Sequence, residues 1–282
     1  MTIVVAIDFS KGSLHALNYA INLANKFNAN VHMVWVDNVF SEELVYNQFS
    51  NKDKLEQKKN FEKLSKDKGK LMKKGKLGFS MRKGKVHIEL AKVARSQDAD
   101  LIVAGTHGVT GYESYWIGSN AYRIVSYAPC PVITIRSDYE CCNEIKSILF
   151  PVDSSVETKQ KLPFTVNIAK TFGSVIHLLG LYSTNLKSVR SRIDKHIEAA
   201  AKYFEENGVK YELEKHQPDN ITKYILDFAD KKKVNLIAIM TDQENTIDHV
   251  FLGQHAQQLI SHSDKPILSL KSKEVISKHG LN

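Results

Sequence analysis

Leu101–Ile135 reads LIVAGTHGVTGYESYWIGSNAYRIVSYAPCPVITI, and Leu236–Leu270 reads LIAIMTDQENTIDHVFLGQHAQQLISHSDKPILSL. The two align without a gap at an offset of 135, with identities at Leu101/Leu236, Ile102/Ile237, Thr106/Thr241, Gly118/Gly253, Ala121/Ala256 and Pro131/Pro266. Working outward, IVVAIDFS from Ile3 matches ILFPVDSS from Ile148 at an offset of 145. Two copies of one unit are therefore present, differing in length in the middle. A domain-sized period excludes a propeller or a solenoid. Length agrees, since 282 residues at roughly 150 per domain suggest two domains.

Within copy one, short apolar β-branched runs alternate with helical spacings. Strands are expected at Ile3–Ile7, Val31–Val36, Leu77–Arg82, Leu101–Ala104 and Val132–Ile135. Leu14, Leu17, Ala20, Ile21 and Ala24 recur at helical spacing, with Ser13 as the expected start. Ile88, Leu90, Ala91 and Ala94 suit a second helix, and Phe61, Leu64 and Leu71 supply one apolar stripe for a third. Copy two repeats the scheme near Ile148–Val152, Val175–Leu181, Lys210–Glu214, Leu236–Ile239 and Ile267–Leu270. Strands separated by helices imply parallel βαβ units. The expected fold class is α/β: two tandem Rossmann-like, doubly wound domains, each with a mainly parallel five-stranded sheet. The expected limits are 1–136 for the first domain, 137–146 for the linker and 147–282 for the second domain.

Composition narrows the class. With 43% hydrophobic and 25% charged residues, wholesale disorder is excluded. No apolar run approaches the ~18 residues of a membrane span. The N-terminus MTIVVAIDFS has no basic n-region, and three cysteines are too few for a disulfide framework. A soluble, cytoplasmic protein is expected. The net charge of +8 is concentrated in residues 52–85, where fourteen Lys or Arg face four Asp or Glu; the remainder is slightly acidic. Lysine predominates over arginine there and rings are few, so a solvated helix face is favoured over nucleic-acid or membrane binding.

Chemistry is expected outside the carboxyl ends of the strands, at the switch in strand order. Gly105, Gly108 and Gly118 allow close backbone approach, and Ser119 is the expected N-cap of the next helix. A helix start with free N–H groups is an anion site. A lone GxxG would be read as an ordinary tight turn, but G-x-x-G, nine residues, then G-S is far more specific. Asp8, ending the first strand, is either a hydrogen-bond acceptor for a ligand or a turn residue.

In this spacing the sequence resembles the universal stress protein family, as a tandem protein of two such domains. The ATP-binding members carry G-2x-G-9x-G-[S/T], matched by Gly105, Gly108, Gly118 and Ser119. Pro129-Cys130-Pro131-Val132 is similar to the family's stretch before the last strand, and Asp8 to its first acidic residue. The resemblance implies an ATP or related adenine-nucleotide site built from Ala6, Asp8, Val36, Gly105, His107, Gly108, Gly118, Ser119 and Asn120. Adenine and ribose would lie near Asp8 and Val36, and the phosphates over Gly108, Gly118, Ser119 and Asn120, with Mg²⁺ accompanying ATP. His107 either lines the phosphates or packs the turn. The implied role is a nucleotide-responsive stress or signalling module; a slow ATPase and a non-nucleotide adaptor are the alternatives. Relatives associate through their last strands, which implies an intramolecular pseudo-dimer of the two copies, and a homodimer as a further option.

Copy two departs from the motif. Met240, Gln243 and Gln254 replace Gly105, Gly108 and Ser119, and only Gly253 survives. Triphosphate binding is not expected there, although Asp153 leaves an adenosine-like ligand open. No Walker loop exists, because Gly69-Lys70, Gly75-Lys76 and Gly84-Lys85 are followed by Leu71, Leu77 and Val86. His249, His255 and His262 lack the i,i+4 spacing of a helical zinc site, so no metal ligands are assigned. Cys130 reads as a small buried residue, and Cys141 and Cys142 as an incidental exposed pair. No Ser-His-Asp or Cys-His arrangement is legible, and no catalytic residue is assigned.

Overall fold

The computed structural model describes residues 1–37, 51–106, 118–140, 144–241 and 252–272. The described residues up to Ser137 form one compact unit, and those from Asp138 form another. In unit 1 the elements run β1 (Thr2–Ala6), α1 (Lys11–Phe27), β2 (Asn30–Asp37), α2 (Asn51–Gly69), β3 (Leu77–Lys83), α3 (Val86–Ser96), β4 (Leu101–Gly105), α4 (Ser119–Tyr127) and β5 (Val132–Ile135). Strand order is β3-β2-β1-β4-β5, and neighbours pair in parallel. Order reverses between β1 and β4, which places the switch point between their carboxyl ends.

Unit 2 repeats the topology with β6 (Ser147–Val152), α5 (Leu162–Phe172), β7 (Val175–Leu181), α6 (Lys187–Glu206), β8 (Tyr211–His216), α7 (Ile221–Lys231), β9 (Leu236–Thr241), α8 (Gln254–His262) and β10 (Ile267–Lys271). Its order is β8-β7-β6-β9-β10, again parallel. Each unit is thus a doubly wound α/β domain, as the alternation predicts. Among the described residues no helix is long and apolar enough to cross a membrane.

The central strands are buried on both faces. Ile3, Val4 and Val5 are inaccessible, as are Ile148, Leu149 and Phe150. Consecutive buried residues in a strand require cover on each side, which the flanking helices supply. α1 meets the sheet through Ala16, Leu17, Ala20, Ile21 and Ala24, all fully buried. Its C-terminus closes at Asn28, and that of α5 at Gly173; both are left-handed, with φ of 54° and 68°. Asn and Gly are the residues that tolerate this conformation at a helix end.

Five sequence expectations are corrected. α1 starts at Lys11, two residues before Ser13, because Ser10 in extended conformation accepts from Ser13 N at 3.1 Å. Ser13 is instead buried in the first turn. The N-cap of α4 is Gly118, and Ser119 is the first helical residue and exposed. On α3 the buried face carries His87, Leu90, Ala91, Val93 and Ala94, with Ile88 only half-buried. Leu71 lies beyond α2 and is exposed, so Phe61 alone anchors that helix fully. Phe61 stacks on Phe79 at 5.1 Å. Burying such a ring contributes about 1.5–3 kcal/mol. Cys130 is half-buried rather than buried, and Cys141 and Cys142 lie outside the described residues.

Candidate functional site

A cavity of about 300 Å³ opens at the switch point of unit 1. Ala6, Asp8, Val36, Gly105, Gly118, Ser119 and Asn120 all line it, so seven of the nine residues expected from sequence converge. His107 and Gly108 lie outside the described residues. The volume stands at the lower end of the range for small-molecule sites, about 300–1,000 Å³.

Its two ends differ chemically. One end is an apolar slot, with Ala6, Val34 and Val36 from the sheet and Leu90 and Ile124 from α3 and α4. The other end is the start of α4. Gly118 brings no side-chain cap, and the first intrahelical bond is Tyr122 N to Gly118 O at 3.0 Å. The N–H groups of Ser119, Asn120 and Ala121 therefore have no intrahelical acceptor, and all three residues face the cavity. Gly118 N also donates to Thr106 O at 2.9 Å, drawing the end of β4 to the start of α4.

Asp8 sits at the mouth. Its Oδ1 accepts from Ser10 N at 2.9 Å, and its other oxygen has no partner among the described residues. Asp8 N in turn donates to Ser13 Oγ at 3.3 Å, which ties the loop to the first turn of α1. Phe9 between them has φ of 62°, an unusual conformation for a ring-bearing residue that costs on the order of 1–3 kcal/mol. An edge-on contact to Phe61 at 4.8 Å holds it there.

Gly105 has a different duty from the one expected. A Cβ at this position would lie 3.0 Å from the carbonyl carbon of Gly12 and 3.1 Å from its oxygen. The glycine lets the end of β4 touch the backbone of α1, which shapes the cavity floor.

Sequence reading missed Val34, Leu90, Ser10, Ser13 and Thr106 as lining residues. Val34 follows from the period of two with Val36, and Leu90 from the helical spacing of α3. Ser10 is legible as the cap two residues after Asp8. Ser13 and Thr106 carry no such local signal.

Unit 2 has a counterpart of about 80 Å³, lined by Pro151, Asp153, Leu181, Ile239, Met240 and His255 among others. These align with Ala6, Asp8, Val36, Ala104, Gly105 and Asn120. Lys161 also lines it, although it is only 4% exposed. Its Nζ donates to Pro151 O at 2.5 Å and lies 4.6 Å from the Phe150 ring centre. Asp153 Oδ1 is already engaged by Ser155 N at 2.9 Å and Ser155 Oγ at 2.6 Å. The segment Val156–Lys161, where unit 1 has the start of α1, is a 3-10 turn. No group of three or more His, Cys, Asp or Glu gathers as a metal site among the described residues.

A five-stranded doubly wound unit with a crevice at its switch point defines an open α/β scaffold of the kind that binds ligands there. The comparisons with known proteins are more specific. The model of the universal stress protein family matches residues 1–136 and 144–271, and the chain belongs to that family. A universal stress protein of Methanocaldococcus jannaschii is 33% identical over 143 residues, covering 48% of this chain and 81% of its own. Among solved structures, a universal stress protein from Archaeoglobus fulgidus superimposes with a TM-score of 0.76 at 15% identity, covering 96% of each chain. A functionally unknown protein from Pseudomonas aeruginosa gives 0.69 at 15% identity, covering 98% of this chain and 94% of its own. At that identity the structural likeness concerns the fold.

Proposed function

We propose that unit 1 binds ATP or a related adenine nucleotide, and that the protein is a nucleotide-responsive module in stress adaptation. One observation carries the reading: residues expected separately from β1, β2, β4 and α4 line a single cavity. That cavity has an apolar slot at one end and an uncapped helix start at the other. Adenine suits the slot between Val36 and Leu90. The ribose hydroxyls suit the open oxygen of Asp8. Phosphates suit the N–H groups of Ser119, Asn120 and Ala121, where the helix dipole favours negative charge. Mg²⁺ would enter with the phosphates and would be held largely by their oxygens and water. Occupancy would bias conformation or partner choice in proportion to the difference in affinity between states.

Unit 2 holds no nucleotide in this reading, because its cavity is largely filled by Met240, Ile239 and Lys161. Calorimetric titration with Mg-ATP should give one site per chain. Gly118→Val, which adds a branched side chain where the cavity meets α4, should weaken binding at least tenfold, about 1.4 kcal/mol. Two equal sites, or an unchanged affinity in the variant, would overturn the proposal.

A further inference from the structure

We infer that the face formed by α2 and β3 binds the phosphate backbone of nucleic acid without regard to sequence. The inference is independent of the nucleotide site. α2 has an outer face of lysines, with Lys59, Lys63 and Lys66 exposed at i, i+4 and i+7, a stripe rising about 10 Å. Lys58 lies beside it and lines a groove of about 700 Å³, with Arg82 and Lys83 of β3 also in the lining. Lys83, in register with Asp37, is on the α2 side of the sheet, whereas Arg82, in register with Val36, is on the other side. Trp35, Leu55 and Met81 complete the lining, together with Asp37, which is 7% exposed. Lys58 and Lys83 thus share the groove with one recessed carboxylate.

Few of these charges are neutralised among the described residues. Among the described residues of α2 and β3, the single ion pair is Lys70 with Asp67 at 4.0 Å, and Lys68 reaches Asn18 Oδ1 at 2.7 Å. Among the described residues, Lys58, Lys59, Lys63, Lys66, Arg82 and Lys83 have no carboxylate within 4 Å.

Unit 2 shows what an ordinary solvated crossover helix looks like at the same place. Residues 187–217 carry seven Lys or Arg against six Asp or Glu. Lys215 pairs with Asp194 at 2.7 Å, and Lys202 with Glu206 at 3.8 Å. Where unit 1 has its groove, unit 2 has a closed network. Tyr182, the counterpart of Asp37, donates to Asp194 at 2.5 Å and lies under the Arg190 guanidinium at 4.1 Å. Arg190 also donates to Gln217 at 2.8 Å. The charge of that segment is nearly balanced, whereas the excess on unit 1 has few carboxylate partners among the described residues and is available to an external anion.

Geometry selects the anion. Cations on both walls of a groove suit a linear polyanion lying within it. Lysines act as point charges, which suits repeated phosphates rather than one forked carboxylate. A membrane surface fits less well. The exposed leucines of this region, Leu55 and Leu71, flank opposite ends of α2 and make no common apolar face.

Fluorescence anisotropy with a short labelled RNA, its DNA equivalent and a duplex tests the inference on the full chain. Binding is expected at 50 mM salt. If four phosphates of a single strand are neutralised, affinity should fall about 50-fold by 200 mM. Replacing Lys58, Lys59, Lys63 and Lys66 together by Gln should remove binding, while Lys187→Gln with Lys195→Gln in unit 2 should leave it unchanged. Lys83→Gln is the second variant, on the other wall. No binding at 50 mM salt, or binding indifferent to both sets of substitutions, would overturn the inference. So would binding confined to phosphatidylserine vesicles.

Discussion

Unit 1 and unit 2 share topology, strand order and the aspartate after the first strand, yet their cavities measure about 300 and 80 Å³. The difference comes from many small additions. Ala6, Val36, Val86, Ala104 and Gly105 become Pro151, Leu181, Ile221, Ile239 and Met240, each bulkier than its counterpart. Lys161 then adds a long side chain whose ammonium is bound to Pro151 O and covered by Phe150. A packed interior leaves no room for such additions except in space already open. The scaffold alone therefore does not open a cavity of this size; small residues at the strand ends do.

The severest test moves one residue of unit 2 into unit 1. Gly105→Met would drive a Cβ into the Gly12 backbone and a side chain into the cavity. Calorimetry should show Mg-ATP affinity reduced at least 100-fold, about 2.8 kcal/mol. Overpacking should also lower stability by about 1–3 kcal/mol in denaturant titration. Wild-type affinity in this variant would mean that the two cavities differ for another reason.

The converse test removes what fills unit 2. Lys161→Met takes the ammonium from Pro151 O, and a lost bond to a buried acceptor costs about 1–3 kcal/mol. Thermal melts should register that loss, while titration should still show one nucleotide per chain. A second nucleotide appearing in this variant would make Lys161 the decisive barrier, rather than one contribution among several.

The smallest expected effect is acid sensitivity. His32 on β2 and His177 on β7 occupy equivalent positions. Burial lowers the pKa of both; Arg82 lowers His32 further, whereas Glu212 partly offsets the shift at His177. His87 on α3 is lowered by burial, then by Arg123 and Lys85. A base with a depressed pKa in the folded state binds fewer protons than in the unfolded chain. Stability is then fully present above the unfolded value near 6.5 and is lost as the pH falls below it. Hydrogen exchange between pH 7 and 5 should show unit 1 loosening more than unit 2. A stability that rises on acidification would contradict the assignment of neutral, buried imidazoles.

Much of this was legible in the sequence because it is local. The duplicated pattern, the β-α alternation and the spacing of Gly105, Gly118 and Ser119 lie within single elements or their junctions, where period and residue type speak directly. Helix starts were less legible. Ser10 and Ser13 are both competent caps, and only the backbone geometry decides which one accepts.

Other properties required the tertiary structure, since they join residues far apart in the chain. Gly105 is needed because α1 brings Gly12 against it. Cavity volume depends on how side chains from three strands and three helices meet. Lys161 reads in sequence as one more surface lysine, and becomes a buried plug only when the carbonyl of Pro151 and the ring of Phe150 surround it. The lysines of α2 are countable from sequence, but whether they are neutralised depends on which neighbours the fold brings to the groove, here Lys83 and a recessed Asp37. Short-range preferences set the elements, and packing between distant segments decides what space and charge remain for a ligand.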